Sequence, residues 1–122
     1  MANHYDVRGP LIRRFRGDTY AETLTVIDGA GDPIDLTGAS AAFTVRFHTY
    51  DETPVITKSS GEPTEMLVAH PTVGDITVLF DAEDTASLEP GAYVYDLEVT
   101  YVDGTVQTVA EDAFILDPDV TR

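Results

Sequence analysis

Carboxylate clusters are the residues of this sequence whose types and spacing are best suited to chemistry. Asp28, Asp32 and Asp35 crowd the segment DGAGDPID. Oxygen-rich loops are what Ca²⁺ prefers, but the spacing does not match the DxDxDG pattern of a regular calcium loop. Aspartates also form turns, because they accept hydrogen bonds from nearby backbone N–H groups. We therefore interpret these three as turn formers, and a calcium-dependent melting temperature would change that interpretation.

A second acidic cluster, Asp81, Glu83 and Asp84, lies in DAEDTASL. Paired carboxylates act as acid and base in glycoside hydrolysis. They also favour the amino end of a helix through its dipole, and we favour that role, with one short helical turn over residues 82–88.

Histidines are the remaining candidates for catalysis or metal binding. His4, His48 and His70 are accompanied by many Ser, Thr and Asp, yet no GxSxG, HExxH or Gly-rich phosphate loop occurs. We interpret the three as ordinary surface or loop side chains. The sequence predicts a protein that is not an enzyme, with no catalytic residue, metal or cofactor.

Basic residues are concentrated near the amino end of an otherwise acidic chain. Four of the seven Lys and Arg residues are Arg8, Arg13, Arg14 and Arg16. One interpretation is an arm or edge strand that binds an acidic patch on a neighbouring copy through bidentate contacts to carboxylates. The other is an edge strand whose arginines point to solvent and prevent unwanted strand pairing. Both remain open at this stage.

The tripeptide Arg16-Gly17-Asp18 is one that cell-surface receptors read as an adhesion signal. A receptor-binding loop should sit at an exposed tip, whereas this tripeptide joins the segment 11–15 to an alternation that begins near Tyr20. We predict a bend between two strands, with Gly17 supplying the permissive backbone.

The elements that would position all these residues are β-strands. Apolar residues alternate over 41–47, over 76–80 and, for the longest run, over 92–101. Asp103-Gly104 predicts a hairpin between the run ending at Tyr101 and the segment 105–110. The pattern indicates about seven to nine short strands in an all-β, antiparallel, immunoglobulin-like sandwich.

One tyrosine is placed as a structural marker of such a sandwich. Tyr93 follows a turn containing Gly91 and enters the longest strand, which is the position of a tyrosine corner. We expect its hydroxyl to bond to backbone a few residues upstream. Tyr95 and Tyr101 share its face with Leu97 and Val99, so we assign them to the core.

Composition limits the possible partners. The formal charge of −15 opposes binding to nucleic acid or to an anionic membrane, and we expect neither. There is no cysteine and no apolar run long enough to span a bilayer, and the amino terminus lacks the pattern of a secretory signal. We expect one domain, with an irregular arm over 1–10, a sandwich over 11–116 and a tail over 117–122.

Several segments together resemble a known family. FRGDTY, GDPIDLTGA followed by FTVRF, GDITV, and AEDTASLEPGAYVYDLEVTYVDGTVQTV are similar to the immunoglobulin-like domain at the amino end of phage baseplate upper proteins. Related domains occur in other phage tail, fibre and head-surface proteins. The resemblance runs from about Leu11 to Arg122.

The resemblance implies a non-enzymatic virion protein that docks on a capsid, neck or tail lattice. Since the sequence stops where the sandwich should end, we expect an accessory protein, made in the host cytoplasm and assembled in many copies or as a homo-oligomer with other virion proteins. The residues expected to make assembly contacts lie near the two ends of the chain: Arg8, Arg13, Arg14, Arg16, Pro118, Asp119, Val120 and Thr121. The alternative is a module displayed on the virion that binds carbohydrate or a host surface.

Overall fold

The computed structural model describes residues 10–119, and eight strands in two sheets lie within that range. The elements, in chain order, are β1 (Ile12–Phe15), β2 (Tyr20–Thr25), β3 (Ser40–Arg46), β4 (Ile56–Ser59), β5 (Met66–His70), β6 (Asp75–Phe80), α1 (Ala82–Ala86), β7 (Gly91–Thr100) and β8 (Val106–Asp117). A single 3₁₀ turn, Pro71–Val73, joins β5 to β6.

The two sheets have the order β1-β8-β7-β3-β4 and β2-β6-β5. All pairings are antiparallel except that of β1 with β8, which is parallel. This is the immunoglobulin-like β-sandwich that the alternating sequence predicts. Its last strand extends to Asp117, one residue into the predicted tail.

Alternation along each strand creates the core, because every second side chain faces the opposite sheet. Along β3, Ala41, Phe43 and Val45 are buried, and along β7 the buried side chains include Leu97 and Val99. The core face predicted for the alternating run that forms β7 is therefore confirmed.

Aromatic contacts join the two sheets. The Phe80 ring of β6 lies 5.8 Å from both the Phe43 ring of β3 and the Phe114 ring of β8. All three side chains are almost fully buried, and each such burial contributes on the order of 2–3 kcal/mol. Tyr95 stacks on Phe43 at 5.1 Å, and its hydroxyl donates to the Pro10 carbonyl at 2.5 Å. The core therefore also fixes where the amino-terminal segment meets the sandwich.

Turns occur where the sequence predicts them. The β7–β8 hairpin closes through Gly104 N–H to Tyr101 O at 2.8 Å, and Thr105 N–H donates to Asp103 Oδ1 at 2.9 Å. Gly104 has a backbone φ of 91°, a conformation that residues other than glycine rarely adopt. At the other end of β7, Tyr93 Oη donates to Glu89 O at 2.7 Å, which is the tyrosine corner expected from the sequence.

Candidate functional site

The basic cluster lies on an edge strand. Among the described residues, β1 pairs only with β8 and has no neighbour on its other side. Arg13 Nε donates to Asp117 Oδ2 at 2.8 Å, and its Nη2 donates to Oδ1 at 3.1 Å. This bidentate contact raises the pKa of Arg13 through the hydrogen bond and the charge of Asp117.

The other two described arginines of the cluster also have carboxylate partners in the same chain. Arg14 Nη2 lies 2.9 Å from Glu22 Oε1, and its guanidinium lies 4.9 Å from the centre of the Tyr20 ring. Arg16 Nε donates to Asp119 Oδ1 at 2.8 Å. The cluster thus attaches β1 to β2 and to the end of the chain, so its charge is largely compensated within the molecule.

The remaining predicted assembly residues divide into two groups. Pro118 is exposed, and the Asp119 side chain is buried against Arg16. Arg8, Val120 and Thr121 lie outside the described residues, as do His4 and most of the predicted arm. A role in assembly for the whole set stays a prediction.

The adhesion tripeptide forms the bend that we predicted between β1 and β2. The Gly17 N–H donates to Thr85 Oγ1 at 2.8 Å, and Thr85 is fully buried in α1. Because Arg16 is also held by Asp119, the tripeptide is fixed against the body of the domain at two of its three residues.

Exposed apolar side chains accompany the arginines on the edge strand. Leu11 and Phe15 are 56% and 55% exposed, and they alternate with the buried Ile12. Phe15 pairs in register with Asp117 at the end of β8. The edge of the five-stranded sheet is consequently apolar as well as charged.

Two of the three aspartates of the segment 28–35, Asp28 and Asp35, serve as turn formers through their side chains, and Asp32 takes part through its backbone. Asp28 Oδ1 accepts from the N–H groups of Ala30 and Asp32 at 2.9 and 3.0 Å. Asp35 Oδ1 accepts from the Thr37 hydroxyl and backbone, and these bonds lower the pKa of Asp35. Within residues 10–119 no three His, Asp or Glu side chains gather where they could hold a metal ion.

The second acidic cluster lies at the start of α1, as predicted. Asp84 Oδ2 accepts from Asp81 N–H at 2.8 Å and from Lys58 Nζ at 2.7 Å. Lys58 is buried on β4, with its ammonium 5.6 Å from the centre of the Phe80 ring. The sequence did not identify this ion pair, because Lys58 lies in a short polar segment, ITKS, with no clear buried face.

Sequence reasoning also missed an exposed aromatic cluster in the β3–β4 loop, which we call the aromatic loop: Phe47, His48 and Tyr50. The Phe47 and His48 ring centres are 4.3 Å apart, and His48 stacks on Tyr50 at 4.9 Å with an interplanar angle of 19°. Tyr50 is 78% exposed. The alternation over 41–47 predicted Phe47 on the buried face, but β3 ends at Arg46 and Phe47 is 54% exposed. The loop that follows has no period from which the directions of His48 and Tyr50 could be predicted.

An open groove of about 440 Å³ lies on the solvent face of the five-stranded sheet. Its polar lining combines Thr44, Arg46, Thr49, Asp96, Glu111 and Asp112.

One carboxyl of the groove has a shifted pKa. Burial raises the pKa of Asp96; the charge of Arg46 lowers it, and the charges of Glu98 and Glu111 raise it further. The groove therefore combines one partly dehydrated carboxyl, Asp96, with the guanidinium of Arg46.

Comparison with known proteins gives no family. No protein-family model matches the sequence, and no curated protein matches it. The solved structures that match include CopC from Methylosinus trichosporium OB3b, with 17% identity and a TM-score of 0.47, covering 91% of this chain and 87% of that one. Murine CRIg matches with 16% identity and a TM-score of 0.41, covering 92% and 95%. No helix within the described residues is long and apolar enough to span a membrane. The chain is an all-β, immunoglobulin-like sandwich.

Proposed function

We propose that this chain is a non-enzymatic structural protein of a bacteriophage particle. It docks on a capsid, neck or tail lattice, and its contacts are made by β1 and the two ends of the chain. The sequence resemblance to the amino-terminal domain of baseplate upper proteins supports the phage role. The partners are other virion proteins, and the place of action is the assembled particle.

The proposal that the chain docks through β1 rests on one observation, the exposed apolar side chains at this edge strand. Leu11, which directly precedes β1, and Phe15, its last residue, are each more than half exposed. Apolar groups beside unpaired strand backbone are the features that strand addition and protein interfaces use. A partner strand or loop that covers β1 would remove both apolar side chains from water.

In this proposal the arginines position the tail and do not act as a free, positively charged arm. Arg13 and Arg16 bind Asp117 and Asp119, which follow one another closely at the carboxyl end of the described chain. These pairs hold the start of the tail beside β1, so the edge strand and the tail form one surface. Their loss would misplace the tail as well as remove charge.

The simultaneous binding of many copies supplies the affinity for the lattice. A domain of this kind without a covalent attachment gains avidity when many copies engage a repeated lattice. The net charge of −15 keeps free copies apart in solution and favours a partner with a positive or neutral surface.

Incorporation into particles tests the proposal. Particles of the virus that encodes the chain are purified with either Phe15→Ser or Val102→Ser, and the copy number is measured by quantitative mass spectrometry. Val102 is 80% exposed in the β7–β8 hairpin, while Phe15 pairs with the opposite end of β8. We expect Phe15→Ser to lower occupancy at least severalfold and Val102→Ser to leave it unchanged. Absence of the unaltered chain from particles would contradict the virion role, and full occupancy of Phe15→Ser would contradict the β1 surface.

A further inference from the structure

The solvent face of the five-stranded sheet carries apolar side chains beside β1. Side chains alternate along a strand, so the residues between the buried ones of β7 and β8 face solvent. The register places Ile115 of β8 between Arg13 of β1 and Ala92 of β7. Together with Phe15 of β1, the aliphatic residues of this face form a surface that we call the outer patch: Ala92, Val94, Ala113, Ile115 and Phe15.

Two carboxylates that lie directly opposite each other border the outer patch. Asp96 pairs in register with Glu111, and Asp96 lies two residues beyond Val94 on the same face of β7. Like charges directly opposite each other in a sheet are destabilising. Burial raises the pKa of Asp96, the charge of Arg46 lowers it, and the charges of Glu98 and Glu111 raise it again. The sheet therefore contains a repulsion that a cation from a partner would relieve.

The open groove on this face gives a cation access to the two carboxylates. Asp96 and Glu111 both line the groove, and so does Val94 of the outer patch. A single partner can therefore cover apolar surface and place a positive charge between the carboxylates.

We propose that the outer patch and the Asp96–Glu111 pair extend the docking surface of β1, and that they bind a protein segment with apolar residues next to a lysine or arginine. The inference rests on the proposed docking function, because Phe15 belongs to both surfaces. Apolar surface bordered by charged residues is typical of protein interfaces. A second copy of the chain is a poor occupant, because it would add a charge of −15 and a second acidic pair.

Titration of the isotope-labelled chain with synthetic peptides, followed by NMR amide shifts, tests the inference without the virus. The probes are two blocked octapeptides, one of alternating Val and Lys and one of alternating Val and Glu. We expect only the lysine peptide to shift amides, and we expect those shifts to be concentrated over residues 92–96 and 111–115.

Two charge reversals with the same change in net charge supply the matched comparison. Glu111→Lys should weaken binding of the lysine peptide about tenfold or more, and Glu62→Lys about twofold or less, since Glu62 is exposed in the β4–β5 turn. Glu111→Lys removes a like-charge pair, so it should not lower the free energy of unfolding. Weaker binding by a variant of unchanged stability would thus report the loss of the carboxylate.

Several results of the titration would overturn the inference. These are no binding of the lysine peptide, equal binding of the two peptides, shifts spread over the whole acidic surface, and equal affinities of Glu111→Lys and Glu62→Lys. Shifts of the same amides when the chain alone is concentrated would identify a second copy as the occupant and would also overturn it.

Incorporation into particles separates this inference from the docking function on which it rests. We expect Ile115→Thr and Glu111→Lys each to lower occupancy severalfold, and Val102→Ser to leave it unchanged. Full occupancy of both variants, with loss of Phe15→Ser, would overturn the inference and leave docking through β1 intact. Absence of the unaltered chain from particles would contradict the virion role, while the peptide titration would still test the surface by itself.

Discussion

The buried ion pair between Lys58 and Asp84 predicts that its two partners differ in their effect on stability. Lys58 Nζ lies 2.7 Å from Asp84 Oδ2, and the side chains are 6% and 25% exposed. Removing one partner of a fully buried pair costs about 3–5 kcal/mol, because the other charge is left without compensation. Since water reaches part of Asp84, we expect Asp84→Ala to cost about 2–4 kcal/mol, including the bond from Asp81 N–H that it also loses.

Substitution of the other partner, Lys58, should lower the free energy of unfolding far less. Lys58→Met keeps an unbranched apolar side chain over the Phe80 ring, and Asp84 retains both its partial exposure and its bond from Asp81. We expect a change of about 1 kcal/mol or less in the free energy of unfolding. In the double variant, Lys58→Met should recover about 1–3 kcal/mol of the loss caused by Asp84→Ala.

Urea unfolding at neutral pH, followed by tyrosine fluorescence and circular dichroism, measures all three variants. Asp84→Asn is the reserve variant if Asp84→Ala does not fold, because an amide oxygen still accepts from Asp81. Equal costs for Asp84→Ala and Lys58→Met, or strictly additive costs in the double variant, would show that the buried charge does not dominate this contact.

Three further predictions concern single substitutions. Tyr93→Phe should lower the free energy of unfolding by about 1 kcal/mol through the lost backbone hydrogen bond, and an unchanged denaturation midpoint would count against the tyrosine corner. Gly74 and Gly31 both have positive φ, but a Cβ at Gly74 would lie 2.6 Å from Val26 O, whereas Gly31 has open space. Gly31→Ala should therefore cost about 1–2 kcal/mol in urea unfolding and Gly74→Ala clearly more, with equal costs contradicting the steric argument. Burial raises the pKa of Asp96 in the fold, so its contribution to stability is greatest below the pKa of the unfolded chain and is lost as pH rises through the folded pKa. Asp96→Asn should accordingly raise the melting temperature at pH 7 and have a smaller effect near pH 3, while a lower melting temperature at pH 7 would refute this assignment.

The fold could be predicted from local patterns. The alternation ending at Tyr101, the Asp103-Gly104 turn and the tyrosine at position 93 act within a few residues, and the structure contains all three features. The short strands β4 and β5 were not located. β4 (ITKS) buries a lysine where alternation requires an apolar residue, and β5 (MLVAH) is a continuous apolar run without alternation.

The site could be predicted only in part, because its contacts join distant segments. Arg13 meets Asp117 across 104 positions, and Arg16 meets Asp119 across 103. Those contacts depend on the parallel pairing of β1 with β8, which no local pattern indicates. The sequence therefore located the basic cluster but could not show that its charges are compensated within the chain.

The position of this chain in an assembled particle tests the central claim most directly. A cryo-electron microscopy reconstruction of the virus that encodes it should show a small β-sandwich repeated on the capsid, neck or tail, with β1 and the chain ends against the neighbouring protein. A particle without such density, or a sandwich attached through β4 with β1 facing solvent, would contradict the account.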